Sequence, residues 1–152
     1  MSGRGAALAS ASASRTSAPE GARFDASGAR PTTARQELGA RAEAAVAAYL
    51  AAQGIEILGL NVRVGRLEVD IIARDGPVVI IVEVRTRGRG AYVKAFDSID
   101  AKKRARVRRA GERLWRDRFS RMPGVERMRF DAAAVTFLPS GEAEVEHVRA
   151  VL

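Results

Sequence analysis

Two runs of aliphatic side chains, residues 67–73 and 78–84, flank the tetrapeptide Arg74-Asp75-Gly76-Pro77. Asp-Gly between such runs is a hairpin signal, because glycine accepts the positive φ that tight hairpin turns require. Leu67, Val69, Ile71 and Ala73 alternate with Glu68, Asp70 and Ile72, and 78–84 is nearly all β-branched. Closure across Asp75-Gly76 sets Arg74 opposite Pro77, Asp70 opposite Ile81, and Glu68 opposite Glu83. One face of the ribbon then carries Leu67, Val69, Ile71, Ala73, Val78, Ile80, Val82 and Val84. The other carries Glu68, Asp70, Glu83, Arg85 and Arg87. A slip of one residue would bury the charges, so the pattern supports this register.

The rest of the chain supplies partners for that ribbon. Thr33 and Gln36 have capping-box spacing, and Leu38, Ala42, Ala45, Val46, Tyr49 and Leu50 follow at helical spacing up to a stop at Gly54. Residues 55–63 read as a strand and 88–98 as a mobile loop. A second helix is expected over 100–119, with Val107, Ala110, Leu114 and Trp115 as its buried stripe. After a break at Pro123-Gly124, residues 129–138 and 142–148 read as two strands joined at Pro139-Ser140-Gly141. The order α-β-β-β-α-β-β predicts a mixed α/β domain, a central sheet with flanking helices, over 32–152. Residues 1–31 are Ala, Ser, Gly, Arg and Thr without periodicity, the composition of a disordered tail.

Composition narrows the chemistry. The absence of cysteine excludes disulfides, thiolate metal sites and cysteine nucleophiles. One histidine, His147, rules out His-rich zinc sites, argues against a Ser-His-Asp triad and reads as a surface or edge residue. A metal would have to be held by oxygen, which favours magnesium, manganese or calcium. No apolar run approaches the ~18 residues that cross a bilayer, and the start has no apolar signal core. Its Arg- and Ser-rich composition is that of a transit peptide, but the amphipathic stripe is missing. A cytoplasmic protein without a membrane partner is the expectation.

Three carboxylates on one ribbon face, Glu68, Asp70 and Glu83, repel one another, and a hard cation between them would relieve this. Such an ion can polarise a phosphate and generate hydroxide from water. The alternative is a solvated face in which Arg66, Arg85 and Arg87 neutralise the acids. The net charge of +8 points to an anionic partner, and its distribution sharpens that. Ten basic residues lie between Lys102 and Arg121, opposed only by Glu112 and Asp117. Lys102, Arg106, Arg109, Arg113 and Arg116 recur at helical spacing and form a positive stripe suited to phosphates. Arg87 and Arg89, in Arg-Gly-Arg-Gly, would extend this surface, and Tyr92 and Phe96 could stack on bases.

Several motifs occur in a familiar order: Gly39-Ala40-Arg41-Ala42-Glu43, Tyr49-Leu50, Gly54, Asn61, 67–73, Val82-Glu83-Val84-Arg85-Thr86-Arg87 and Arg129-Phe130-Asp131. Over residues 35 to about 137 they resemble the bacterial YraN-type family, which is similar to archaeal Holliday-junction resolvases and to the PD-(D/E)XK nucleases. The resemblance implies a restriction-endonuclease-like fold and a Mg- or Mn-dependent endodeoxyribonuclease that works as a homodimer on DNA. By position, Asp70 and Glu83 would hold the ion, with Glu43 and Glu68 as further acids. Lys103 would match the basic residue that opens the second long helix. The superfamily's catalytic lysine falls on Arg85, which can clamp a phosphate but, staying protonated, cannot act as a base. Lys94 or Lys103 could substitute. The rival expectation is a non-catalytic nucleic-acid-binding module that retains the fold, and a third is an adaptor whose basic helix docks an acidic protein.

Overall fold

A computed structural model describes residues 33–88 and 100–152. Helix α1 spans Ala34–Ala52, strands β1, β2 and β3 span Glu56–Val64, Leu67–Asp75 and Val78–Arg87, helix α2 spans Ala101–Asp117, and strands β4 and β5 span Arg127–Phe137 and Ala143–Val148. The element order is the expected one. Thr33 caps α1 through the full capping box with Gln36, and the Asp100 side chain caps α2 by accepting from the Lys102 amide. No described helix is long and apolar enough to cross a membrane.

The five strands lie in chain order, antiparallel except for β3 and β4, which are parallel and are joined through α2. A parallel pair needs such a crossover, and its helix then covers one sheet face. Helix α1 covers the other. Ala42, Val46 and Leu50 of α1 pack on Ile71, Ala73, Ile80, Val82, Ala133 and Val135. Val107 and Ala110 of α2, with Phe119 beyond it, pack on Val69, Ile72, Val79, Ile81 and Ala132. Both faces of β3 are therefore buried, which corrects the expectation of one apolar and one charged face. A nearly continuous aliphatic run is what a doubly covered central strand requires.

The register of the hairpin also differs. Asp75 pairs with Val78, Arg74 with Val79 and Ile71 with Val82. The turn residues are Gly76, at φ +56°, and Pro77, a glycine-first pair suited to a two-residue hairpin. Every expected pair moves by two: Glu68 is not opposite Glu83, and Asp70 is not opposite Ile81. On α1, Leu38 and Tyr49 stay exposed rather than joining the core.

Helix α2 lies close to the sheet at Gly111, where a Cβ would stand 2.5 Å from Cε1 of Phe130. Gly111→Ala should gain about 1 kcal/mol of helix propensity yet lose more to overpacking, for a net cost of about 1–2 kcal/mol. Urea denaturation checks this. In a Phe130→Leu background the cost should vanish, and a cost that persisted there would locate the strain elsewhere.

Candidate functional site

The β2–β3 ladder stops at Ile71–Val82. Val69 packs on the α2 side and Ile71 on the α1 side although they are two residues apart, so β2 turns over at Asp70. Across from this point, Asn61 of β1 sits at φ +50°, a conformation asparagine tolerates better than most residues. Where backbone pairing ends, the Asp70 carboxylate takes its place: the Val84 amide donates to Asp70 Oδ2 at 2.8 Å. Asn61 Nδ2 donates to Glu43 Oε2 at 2.6 Å, so the kink of β1 fixes an acid of α1 beside the same opening.

One step past the end of the ladder is Glu83, whose side chain is 1% exposed. Lys103 of α2 places its ammonium against Glu83 Oε1, and Arg85 Nε lies 3.6 Å from the same oxygen. Burial, and then the negative charge of Asp70, outweigh these two cations and push the Glu83 carboxyl up to about 7. Glu43 is raised too, by burial against the Asn61 hydrogen bond, with the Asp70 and Glu68 charges adding to the rise.

This pair of carboxylates fits a hard divalent ion. Among the described residues no three acids are gathered closely enough to hold a metal by themselves. Magnesium asks for less, since it keeps several waters and takes one or two carboxylates plus phosphate oxygens. A further positive charge beside Asp70 and Glu83 would also relieve the mutual repulsion that lifts Glu83. Asp70 and Glu83 would hold the ion, with Glu43 behind them.

The other expected site residues divide. Glu68 is half exposed, 3.9 Å from Arg63, and stands at the rim rather than against Glu83. Lys103, offered with Lys94 as a substitute for the strand lysine, faces inward to Glu83. Lys102, Arg106, Arg109 and Arg113 are exposed on α2. Arg113 Nε is 3.6 Å from Asp117, and Arg109 Nε donates to the Ala105 carbonyl. Arg87 is largely covered and binds Glu146 of β5 at 2.8 Å. Arg89, Tyr92, Lys94 and Phe96 lie outside the described residues.

A second polar cluster was not legible in advance. Asp131 of β4 is fully buried and accepts from Arg129 through both oxygens, at 2.8 and 3.0 Å, and from the Ala150 amide at 2.9 Å. His147 Nε2 stands 2.9 Å away, and its side chain is 3% exposed, so it is an interior residue rather than a surface one. Burial would raise the Asp131 carboxyl, but the His147, Arg129 and Ala150 hydrogen bonds hold it below its ordinary value. The signals in the sequence were the Arg129-Phe130-Asp131 motif and an aspartate that opens into the apolar run Ala132 to Val135.

Comparison with known proteins places these features in a family. The model of the Uncharacterised protein family UPF0102 matches residues 42–135, which include Glu43, Asp70, Glu83, Lys103 and Asp131. A UPF0102 protein of Sorangium cellulosum is 72% identical over 123 residues, covering 81% of this chain and 85% of that one. Relatives from Anaeromyxobacter dehalogenans and an Arthrobacter species are 43% and 39% identical, over 74% and 78% of this chain and 81% and 98% of their own lengths. The chain belongs to the UPF0102 family, also known as YraN, a member of the PD-(D/E)XK-like nuclease superfamily.

Proposed function

We propose that this protein is a metal-dependent endonuclease of the Holliday-junction-resolvase type, acting on phosphodiester bonds with Asp70 and Glu83 as ligands of magnesium or manganese. One observation carries the proposal: a buried glutamate, destabilised by a neighbouring aspartate, sits where two strands part and two cationic side chains reach it. The ion would polarise the scissile phosphate. Asp70 is oriented for this by the Val84 amide, and Glu43 by Asn61. Arg85 supplies fixed positive charge for a phosphate oxygen. Lys103 is the lysine that the described fold brings against Glu83, and it comes from α2 rather than from the strand. The exposed cations of α2 add sequence-independent attraction to nucleic acid.

Arginine at position 85 favours a second reading, in which the fold binds nucleic acid without turnover. Cleavage of a labelled four-way junction in Mg²⁺ or Mn²⁺, with duplex and single-strand controls, separates the two. Asp70→Ala should lower the rate by at least ~10²-fold while binding is retained, because a bound ion contributes several kcal/mol to the transition state. Binding without metal-dependent cutting by the wild type would establish the non-catalytic module instead.

A further inference from the structure

Of the two acids proposed as ligands, Glu83 is the one that solvent does not reach. Its side chain is 1% exposed, whereas Asp70 is half-buried and lines a cavity on the α2 side of the sheet. Lys103 lines the same cavity and sets its ammonium against Glu83 Oε1. An ion arriving through that cavity therefore meets Asp70 directly but finds Glu83 under Lys103. Arg85 also approaches Oε1, at 3.6 Å, but it is anchored two residues along the same strand and its Nε is itself buried. Lys103 is the movable part of the cover. It hangs from the first turn of α2 by a flexible stem, and its side chain is 38% exposed.

The helix itself gives no reason for a cation at this position. No acid lies in the first turn of α2, and the positive end of the helix dipole disfavours Lys102 and Lys103 alike. Glu83 offsets that cost for Lys103. Charge then decides which cation Glu83 keeps. Lys103 brings one positive charge to one carboxylate. A divalent ion brings two and can engage both acids, because Asp70 commits Oδ2 to the Val84 amide and keeps a second oxygen. The two cations cannot share Oε1, since at contact distance their repulsion is of the same order as either attraction.

Building on the nuclease reading, we propose that Lys103 is a built-in competitor for the metal: its ammonium and a divalent ion hold Glu83 in turn, and loading the ion drives Lys103 out into the α2-side cavity. Glu68 lies on the wall of that cavity and can receive the released ammonium. The exchange selects for divalent ions, because a monovalent one gains nothing over the ammonium it must displace. It also makes ion affinity lower than the two carboxylates alone would give, by the fraction of molecules in which Lys103 has left Glu83.

Trace acetylation of the lysines, read by mass spectrometry with and without Mg²⁺, tests the exchange without substrate or cutting. In the wild-type protein Mg²⁺ should raise labelling of Lys103 at least about threefold and leave the exposed neighbour Lys102 unchanged. Asp70→Ala should abolish the rise. Electron paramagnetic resonance of bound Mn²⁺, at a pH above about 7 where Glu83 is ionised, gives the affinity. Lys103→Met should bind Mn²⁺ at least about tenfold more tightly than wild type. Arg106→Gln removes a cation from the same cavity but not the one against Glu83, and should change the affinity less than about twofold. The labelling uses the wild-type chain, so it decides even if Lys103→Met fails to fold. Mn²⁺ bound by wild type with Lys103 labelling unchanged by Mg²⁺ would overturn the exchange and leave the metal site standing. So would a Lys103→Met variant that bound no more tightly than wild type, or equal gains in Lys103→Met and Arg106→Gln, which would reduce the effect to net charge. No Mn²⁺ bound by any of these proteins would remove the metal reading and the exchange together. Release of Lys103 in a protein that cuts no junction would uphold the exchange on a non-catalytic module.

Discussion

Asp131→Ala should lower the stability of the fold by about 3–5 kcal/mol, the usual cost of removing one member of a buried, hydrogen-bonded charge cluster. That is a large share of the ~5–15 kcal/mol that holds a domain together. The substitution leaves the Arg129 guanidinium, the His147 ring and the Ala150 amide without their common acceptor. It also loosens the end of the chain, because Ala150 is followed by the Val151 amide, which donates to the Phe130 carbonyl, and by the buried Leu152. Asp131→Asn keeps the shape but turns an amide toward donors, so it should recover only part of the loss. The effect is pH-dependent in a defined sense. The folded carboxyl lies below its ordinary value of 3.8, so its stabilisation is complete above that value and is lost as the pH falls through the folded pKa. Urea midpoints of wild type and Asp131→Ala should converge in strong acid. A loss under about 1 kcal/mol at neutral pH would show that Arg129 and His147 find other partners at little cost.

Glu83→Gln should have two opposite effects, with cleavage abolished and stability increased. Ionising Glu83 in the fold is disfavoured by burial and by Asp70, so the folded group titrates near 7 instead of 4.5. Between these values the native state binds more protons than the unfolded chain, and stability therefore falls as the pH rises. Above pH 7 the full penalty is present, about 3 kcal/mol from that shift at 1.36 kcal/mol per pH unit. Glutamine resembles the protonated acid and escapes the penalty. In EDTA, the variant should match wild type near pH 4.5, gain between pH 4.5 and 7, and hold an advantage of about 3 kcal/mol at pH 8. Urea denaturation at four pH values reads this directly. An advantage that did not vary with pH would mean that Glu83 ionises freely beside Lys103, and the stored electrostatic cost at the site would be absent.

The element order, the cap of α1 and the existence of the hairpin were legible in the sequence because each depends on neighbours a few residues apart. Thr33 with Gln36 is a local arrangement, and so is the Gly76 that lets the hairpin turn, although the turn closes one residue later than expected. Asp70 and Glu83 stood out for a similar reason, as charges inside aliphatic strands. Their mutual placement did not follow. Moving a hairpin register by two residues leaves every side chain on the face it already had, so alternation cannot distinguish Asp70 opposite Ile81 from Asp70 next to Glu83. Turn geometry makes that choice.

Three further features came only from packing. Whether β3 has one buried face or two depends on where the crossover helix lies, and α2 covers the face on which charges were expected. The kink at Asn61 and Asp70 belongs to a strand pair rather than to either strand, and it brings Glu43 of α1 to the opening. The Asp131 cluster joins β4, β5 and the end of the chain. The sequence by itself determined which elements form and which residues carry charge, since those are properties of local conformation and side-chain chemistry. The tertiary structure alone decided which charges meet and how deeply they are buried. Lys103, which the resemblance offered with Lys94 as a substitute for the strand lysine, lies against Glu83 because the helix that carries it packs over β3.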